Sequence, residues 1–250
     1  MLKARIIPTL LLRDRCLVKT VKFGKFKYVG DPCNTIRIFN ELEVDELIFL
    51  DITASLQKNG PDYKTLASVA SECFMPLTYG GGITTLEEAK LIFDIGFEKI
   101  CLNTSAYIQP ELVTLLADYF GSQAVVASID VKRTIFGNTV KVLSGKRNTS
   151  LNPINWAKCL EELGAGEILL TSIDREGTWK GFDTKLVQQV CNAVSIPVIA
   201  HGGCGSVDDV VDVIENSSVS AVATGSMVTF QKQGMGVLIN FPDALKASVN

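Results

Sequence analysis

"MPLTYGGGITTLEEAKLIFDIGFEKICLNTSA" (75–106) and "IPVIAHGGCGSVDDVVDVIENSSVSAVATGSM" (196–227) are one pattern written twice. Each runs from a Pro-started apolar strand through a Gly-Gly turn into an acid-led helix, then a second strand and a small polar triplet. They align without a gap at an offset of 121 residues, and the same offset pairs "DELIFLDIT" (45–53) with "GEILLTSID" (166–174). A repeat of that length predicts two homologous halves, about 1–120 and 121–250.

Outward from the repeat, short apolar runs alternate with helical periodicity. Strands are expected over 5–10, 46–51, 76–79, 99–103, 123–130, 167–172, 197–200 and 219–224. Helices are expected over 34–43, 63–72, 85–95, 110–119, 152–163, 184–193 and 206–216, with a weak last one over 235–248. Pro32 and Pro110 stand where a first helical turn has no N–H to lose. Thr85 and Ser206 precede acidic first turns, which suit the positive end of a helix dipole. Runs such as "ELIFLDI" are apolar without alternation, as parallel strands buried on both faces are. Eight strand–helix units predict an α/β fold, a single (β/α)8 TIM barrel over residues 1–250.

Composition excludes several classes of function. The 250 residues are 47% hydrophobic and 20% charged, with a net charge of -3 and no basic block, so nucleic acid is not an expected partner. No apolar run reaches the roughly 18 residues of a membrane span, and "MLKARIIP" has no leader-like apolar region. The seven cysteines are odd in number and include no CxxC pair, which reads as packing thiols in a reducing cytoplasm. A single histidine, His201, argues against a metal site, and no motif calls for a cofactor.

The strand ends carry the chemistry. Gly81 and Gly82 follow the third strand, and Asn103 and Thr104 the fourth. Gly202 and Gly203 follow the seventh, and Thr224, Gly225 and Ser226 the eighth. Glycines let backbone N–H groups approach phosphate oxygens, and helix N-termini add a favourable field. Taken singly, such glycines are also what tight turns need. Repeated in both halves, they imply a long phosphorylated ligand held at each end. Asp130 closes the fifth strand, a candidate general acid or base that could instead pair with Lys132 or Arg133. Asp51, Asp174 and Glu176 are further carboxylates near the mouth, and Ser144 and Thr171 are candidates to orient a ligand. His201 adjoins the second Gly-Gly turn, where packing and substrate contact are both open.

Two insertions fall on the same face. "TIFGNTVKVLSG" (134–145) has the alternation of a β-hairpin turning at Gly137-Asn138. "KTVKFGKFKYVGD" (19–31) reads as a long basic, aromatic loop, a candidate lid. At the opposite end Arg5, Glu46, Lys99 and Glu167 begin strands one, two, four and six. That ring of two bases and two acids would plug the barrel floor, and stability alone would account for it.

Together "RIIP", "GDP", "DELIFLDITAS", "PLTYGGGI", "FGSQ", "ASID", "LGAGEILLTSIDREGT", "GFD" and "SIPVIAHGG" resemble the HisF family, cyclase subunits of imidazole glycerol phosphate synthase. The resemblance implies a barrel docked by its N-terminal face on a HisH-like glutaminase subunit, whose ammonia crosses the barrel to a bisphosphorylated substrate. It implies that Arg5, Glu46, Lys99 and Glu167 form the ammonia gate and that Asp130 and Lys19 are catalytic. It places Asp51, Gly82, Asn103, Thr104, Gly177, Gly203 and Ser226 on the ligand side.

The departures are specific. The family writes "IIPCLDV" where this chain has "IIPTLLL", so Leu11 stands in place of a second catalytic aspartate. Glu176 stands where the family has Asp, and His201 where it has a small residue such as Ser. With "LLLRDRCLVKTVKF" and "KYVGDP", the pattern looks like HisF paralogues associated with glycosyl amidation for surface polysaccharides. The expected function is ammonia delivery within a glutamine amidotransferase complex, with a sugar amidotransferase as a further partner. The alternatives are a histidine-pathway lyase/cyclase with altered acid–base chemistry, and a non-catalytic scaffold that binds a phosphorylated ligand.

Overall fold

The computed structural model describes residues 4–247. Eight parallel strands are β1 (Arg5–Arg13), β2 (Leu47–Asp51), β3 (Leu77–Gly80) and β4 (Lys99–Leu102), then β5 (Val125–Thr134), β6 (Glu167–Ser172), β7 (Val198–His201) and β8 (Ala221–Thr224). They pair in sequence order, β8 returns to β1, and the ring is closed. Helices Pro32–Glu41, Tyr63–Glu72, Leu86–Ile95, Glu111–Phe120, Pro153–Glu162, Thr184–Cys191 and Val207–Asn216 fill the connections. Their starts have the chemistry expected of them. Pro32 opens its helix behind an Asp31 side chain that accepts from Asn34 N. Thr85 with Glu88, and Ser206 with Asp209, form capping boxes, and such a cap is worth about 1 kcal/mol.

Two hydrophobic cores result. A large one lies between strands and helices, and a small one of Ile7, Ile48, Cys101, Val126, Leu169, Ile199, Ala221 and Ala223 fills the barrel axis. Alternation along a strand then fixes each side chain's direction. On β1, Arg5, Ile7, Thr9 and Leu11 face inward, while Leu10 and Leu12 pack outward in the larger core. Two of the three leucines thus serve the larger core, and only Leu11 reaches the mouth.

The half-barrel repeat holds with one correction. Leu47 pairs with Leu77 and Ile168 with Val198, which keeps the offset of 121. In the next pair Thr78 meets Lys99, but Ile199 meets Ala221 and not Ser220. The second half therefore carries one extra residue before β8, and the gap-free alignment fails there. Asn103 corresponds to Gly225, not to Thr224. Both precede a short helix with nearly the same φ and ψ, -123° and -75° against -119° and -80°.

Two further expectations change. The long loop over 19–31 is a β-hairpin: Cys16–Thr20 pairs antiparallel with β1, and Phe26–Gly30 pairs antiparallel with it. Cys16–Thr20 packs almost entirely inside, so Val18 and Lys19 are strand residues and only 21–25 form a tip. The final helix is confined to Asp243–Ala247, because Gly234, Gly236 and Pro242 interrupt the span before it. Position 248 of that expectation lies outside the described residues. The hairpin after β5 is present, with Gly137–Val142 antiparallel to the extended end of β5. All seven cysteines are free thiols.

Candidate functional site

The strand C-termini surround a cavity of about 240 Å³, which joins a far smaller one of about 20 Å³. Leu11, Glu176 and His201 line both. The large cavity holds the first-half cradle: Gly81, Gly82, Asn103, Thr104 and Ser105. The small one holds the second: Gly177, Gly202, Gly203, Gly225 and Ser226. Glycine is required at Gly82 and Gly203, the paired positions. Their φ values are +70° and +113°, and a Cβ would press on Ala54 in one and on the Gly181 carbonyl in the other.

Several expected ligand contacts are otherwise engaged. Thr224 points outward into the helix layer, wholly buried, and its hydroxyl has no partner among the described residues. It is not a site residue, because the extra residue before β8 rotates it away from the mouth. Thr104 accepts from Leu143 N (3.0 Å), and Ser144 donates to the Ile52 carbonyl (2.6 Å). Both line the large cavity while tying the second hairpin to its rim. Asp51 accepts through Oδ1 from Thr53 N and Ala54 N at 2.8 and 3.0 Å, capping the short helix Ala54–Gln57. Asp174 accepts from Arg133 N (2.8 Å).

Asp130 is buried at the mouth on β5 and makes no ion pair with Lys132 or Arg133, the alternative to an acid–base role. It accepts from Asn103 Nδ2 (3.3 Å), and Thr171 stands beside it in register on β6. Burial pushes its pKa up to about 7 against the Thr171 hydroxyl, with Glu176 adding to the rise. Leu11 is its symmetry mate. Leu11 pairs in register with Leu50, and Asp130 pairs with Thr171, the equivalent of Leu50.

Lys19 reaches the small cavity from the first hairpin, fully enclosed, and donates to the Thr9 carbonyl at 2.6 Å. Its ammonium fills the space that a side chain at Gly225 would need. Burial lowers its pKa to about 8, with Glu176 opposing. Glu176 has a role that the sequence did not suggest. Its carboxylate accepts from Thr20 Oγ1 and Phe23 N, both 3.0 Å, and its backbone carbonyl from Lys22 N at 3.0 Å. It fastens the hairpin tip over the mouth, where Phe23 and Gly24 line the large cavity. The tip costs backbone strain, since Lys22 and Phe23 both have φ near +55°.

At the barrel floor the four charges form a closed ring. Arg5 Nη1 meets Glu46 Oε2 (2.6 Å), and Arg5 also bonds Glu167. Lys99 Nζ lies 3.0 Å from each carboxylate. Burial works against the Arg5 charge, but Glu167 and Glu46 outweigh it and hold its pKa above the ordinary value. Above the ring, inward-facing Thr9 has a buried hydroxyl with no partner among the described residues. No helix among the described residues is long and apolar enough to cross a membrane.

The chain matches the family model described as "Histidine biosynthesis protein" over residues 5–233. It is 53% identical over 250 residues to a Pseudomonas aeruginosa protein named "Putative imidazole glycerol phosphate synthase subunit hisF2", covering all of both chains. Identity is 43% over 244 residues to the Vibrio vulnificus protein "Putative imidazole glycerol phosphate synthase subunit hisF3", covering 97% of this chain and 94% of that one. It is 42% over 229 residues to "Imidazole glycerol phosphate synthase subunit HisF" of Lactococcus lactis subsp. cremoris, covering 91% and 88%.

Proposed function

Because the chain belongs to the histidine biosynthesis protein family, as a HisF-like paralogue, we propose that it is the synthase-type barrel of a glutamine amidotransferase complex. In this reading it receives ammonia from a HisH-like glutaminase at its N-terminal face and conducts it to the mouth. There it serves amidation of a sugar, with a sugar amidotransferase as a further partner, and not ring closure. The observation that carries the reading is the combination of a closed ion-pair ring at the floor with Leu11 at the mouth. Arg5, Glu46, Lys99 and Glu167 act as the gate. The hydroxyl of Thr9 lies on the axis between gate and mouth and offers a hydrogen-bonding stop for a small polar molecule.

Leucine can neither give nor take a proton, and removal of a general acid or base typically slows a reaction by about 10²–10⁴-fold. Loss of one partner in a symmetric pair of carboxylates therefore argues against efficient cyclisation. The Gly82 and Gly203 cradles remain, so a phosphorylated ligand still fits the large cavity. The small cavity has room for about one water unless Lys19 and the hairpin tip move. The free thiols accord with a reducing cytoplasm.

The test is turnover of the bisphosphorylated ribulosyl substrate with an ammonium salt, without a glutaminase. The reading expects no ring-closed product from the natural chain, and gain of product in Leu11→Asp. Efficient turnover by the natural chain would favour the second reading, a histidine-pathway lyase/cyclase, which the intact Asp130 and cradles support.

A further inference from the structure

The mouth carries a connected hydrogen-bond path that the Leu11 substitution does not interrupt. Asp130, Thr171 and His201 sit side by side on β5, β6 and β7 in direct register. Thr171 Oγ1 lies 3.1 Å from His201 Nδ1, and Thr171 pairs in register with Asp130, toward whose carboxylate its hydroxyl hydrogen can turn. The equivalent positions in the first half are Leu11, Leu50 and Gly80, which carry no such group. The polar chain is therefore a property of the second half alone.

The geometry points to a proton relay in which His201 Nε2 is the working base at the cavity and Asp130, reached through Thr171, is the final proton acceptor. Bond direction follows from counting protons. A threonine hydroxyl has one hydrogen. Asn103 Nδ2 also donates to Asp130, so that carboxylate is an acceptor, and Thr171 spends its hydrogen there. The Thr171 oxygen must then accept from Nδ1–H of His201. That leaves the Nε2 lone pair toward the two cavities that His201 lines.

The step balances without another reactant. When ammonia adds to a carbon electrophile, the new C–N bond leaves an extra proton on nitrogen. That proton passes to Nε2, the Nδ1 proton passes to Thr171 Oγ1, and the hydroxyl proton passes to the Asp130 carboxylate. The imidazole ends neutral with its tautomer reversed, and Asp130 ends as the acid. Burial, and then Lys19, lower the His201 pKa to about 3, so the three transfers are coupled and do not pause at imidazolium. Other titratable groups facing the path are Lys19 from the hairpin, Glu176 from the turn after β6 and Cys101 from β4.

What the relay serves rests on the ammonia-delivery reading, but its existence does not. His201 is the only histidine, so its imidazole nitrogens can be assigned in a ¹⁵N NMR spectrum of the intact chain without activity. The relay predicts a protonated Nδ1 and bare Nε2 well above the Asp130 pKa, changing to the reverse tautomer as Asp130 takes up its proton near pH 7. Thr171→Val should uncouple the tautomer from pH, and Thr171→Ser should restore the coupling. An unchanging tautomer in the natural chain between about pH 5.5 and 8.5 would overturn the relay, and so would imidazolium formation in that range. Either result would leave ammonia delivery standing.

Discussion

Asp130 occupies a place where a carboxylate is costly to the fold. The residue is 8% exposed, and burial raises its pKa to about 7. The folded-state pKa lies above the unfolded one, so the group favours folding while protonated and opposes it once ionised. The penalty is absent below about pH 4, grows as pH rises, and levels off above 7. At about 1.4 kcal/mol per pH unit between the two values, Asp130→Asn should add about 2–4 kcal/mol of stability at pH 8. The gain should shrink steadily toward pH 5, as read from urea midpoints. A gain independent of pH would show that the shift is not the cause. Asp130 was legible in the sequence because an acid ending an apolar strand stands out. Thr224 was misread, since a one-residue insertion before β8 leaves no trace in composition yet turns the side chain to the other face.

At the scale of elements, the first hairpin connects the two halves of the site. Its strand Cys16–Thr20 brings Lys19 inside, and its tip is held down by Glu176 from the turn after β6. The hairpin was read as a loop because Gly24 and the scattered lysines dominate 19–31, while the buried run that makes its inner strand is short. Glu176 was read as a carboxylate near the mouth, since nothing local signals a partner 156 positions away. Glu176→Ala should remove the carboxylate's bonds to Thr20 and Phe23. Hydrogen bonds to a charged group are worth about 1.5–3 kcal/mol, so amide exchange at Phe23 should speed by about 10-fold or more. Exchange in β1 should stay as it was. Unchanged exchange at Phe23 would mean that the tip is held by its packing alone.

For the whole molecule, the axis is the organising feature: a charged ring at the floor, a narrow apolar core, and a polar mouth. The closed barrel and its halves were legible because the repeat, the caps and the apolar strands all agree. The floor charges were legible too, since two bases and two acids begin strands one, two, four and six, and barrel closure brings those four strand starts together. Lys99 is 23% exposed in that ring. Lys99→Ala leaves two buried carboxylates sharing Arg5 and should cost about 1–3 kcal/mol after solvent screening. In a reconstituted complex it should also lower glutamine-dependent product formation while sparing ammonium-dependent formation.

The conduit itself is tested most directly by nitrogen origin. The barrel, the glutaminase and the sugar amidotransferase would be assembled and given amide-¹⁵N glutamine in a large excess of unlabelled ammonium. Ammonia carried inside the barrel predicts product that retains the ¹⁵N label. Product labelled only in proportion to the ammonium in solution would contradict it.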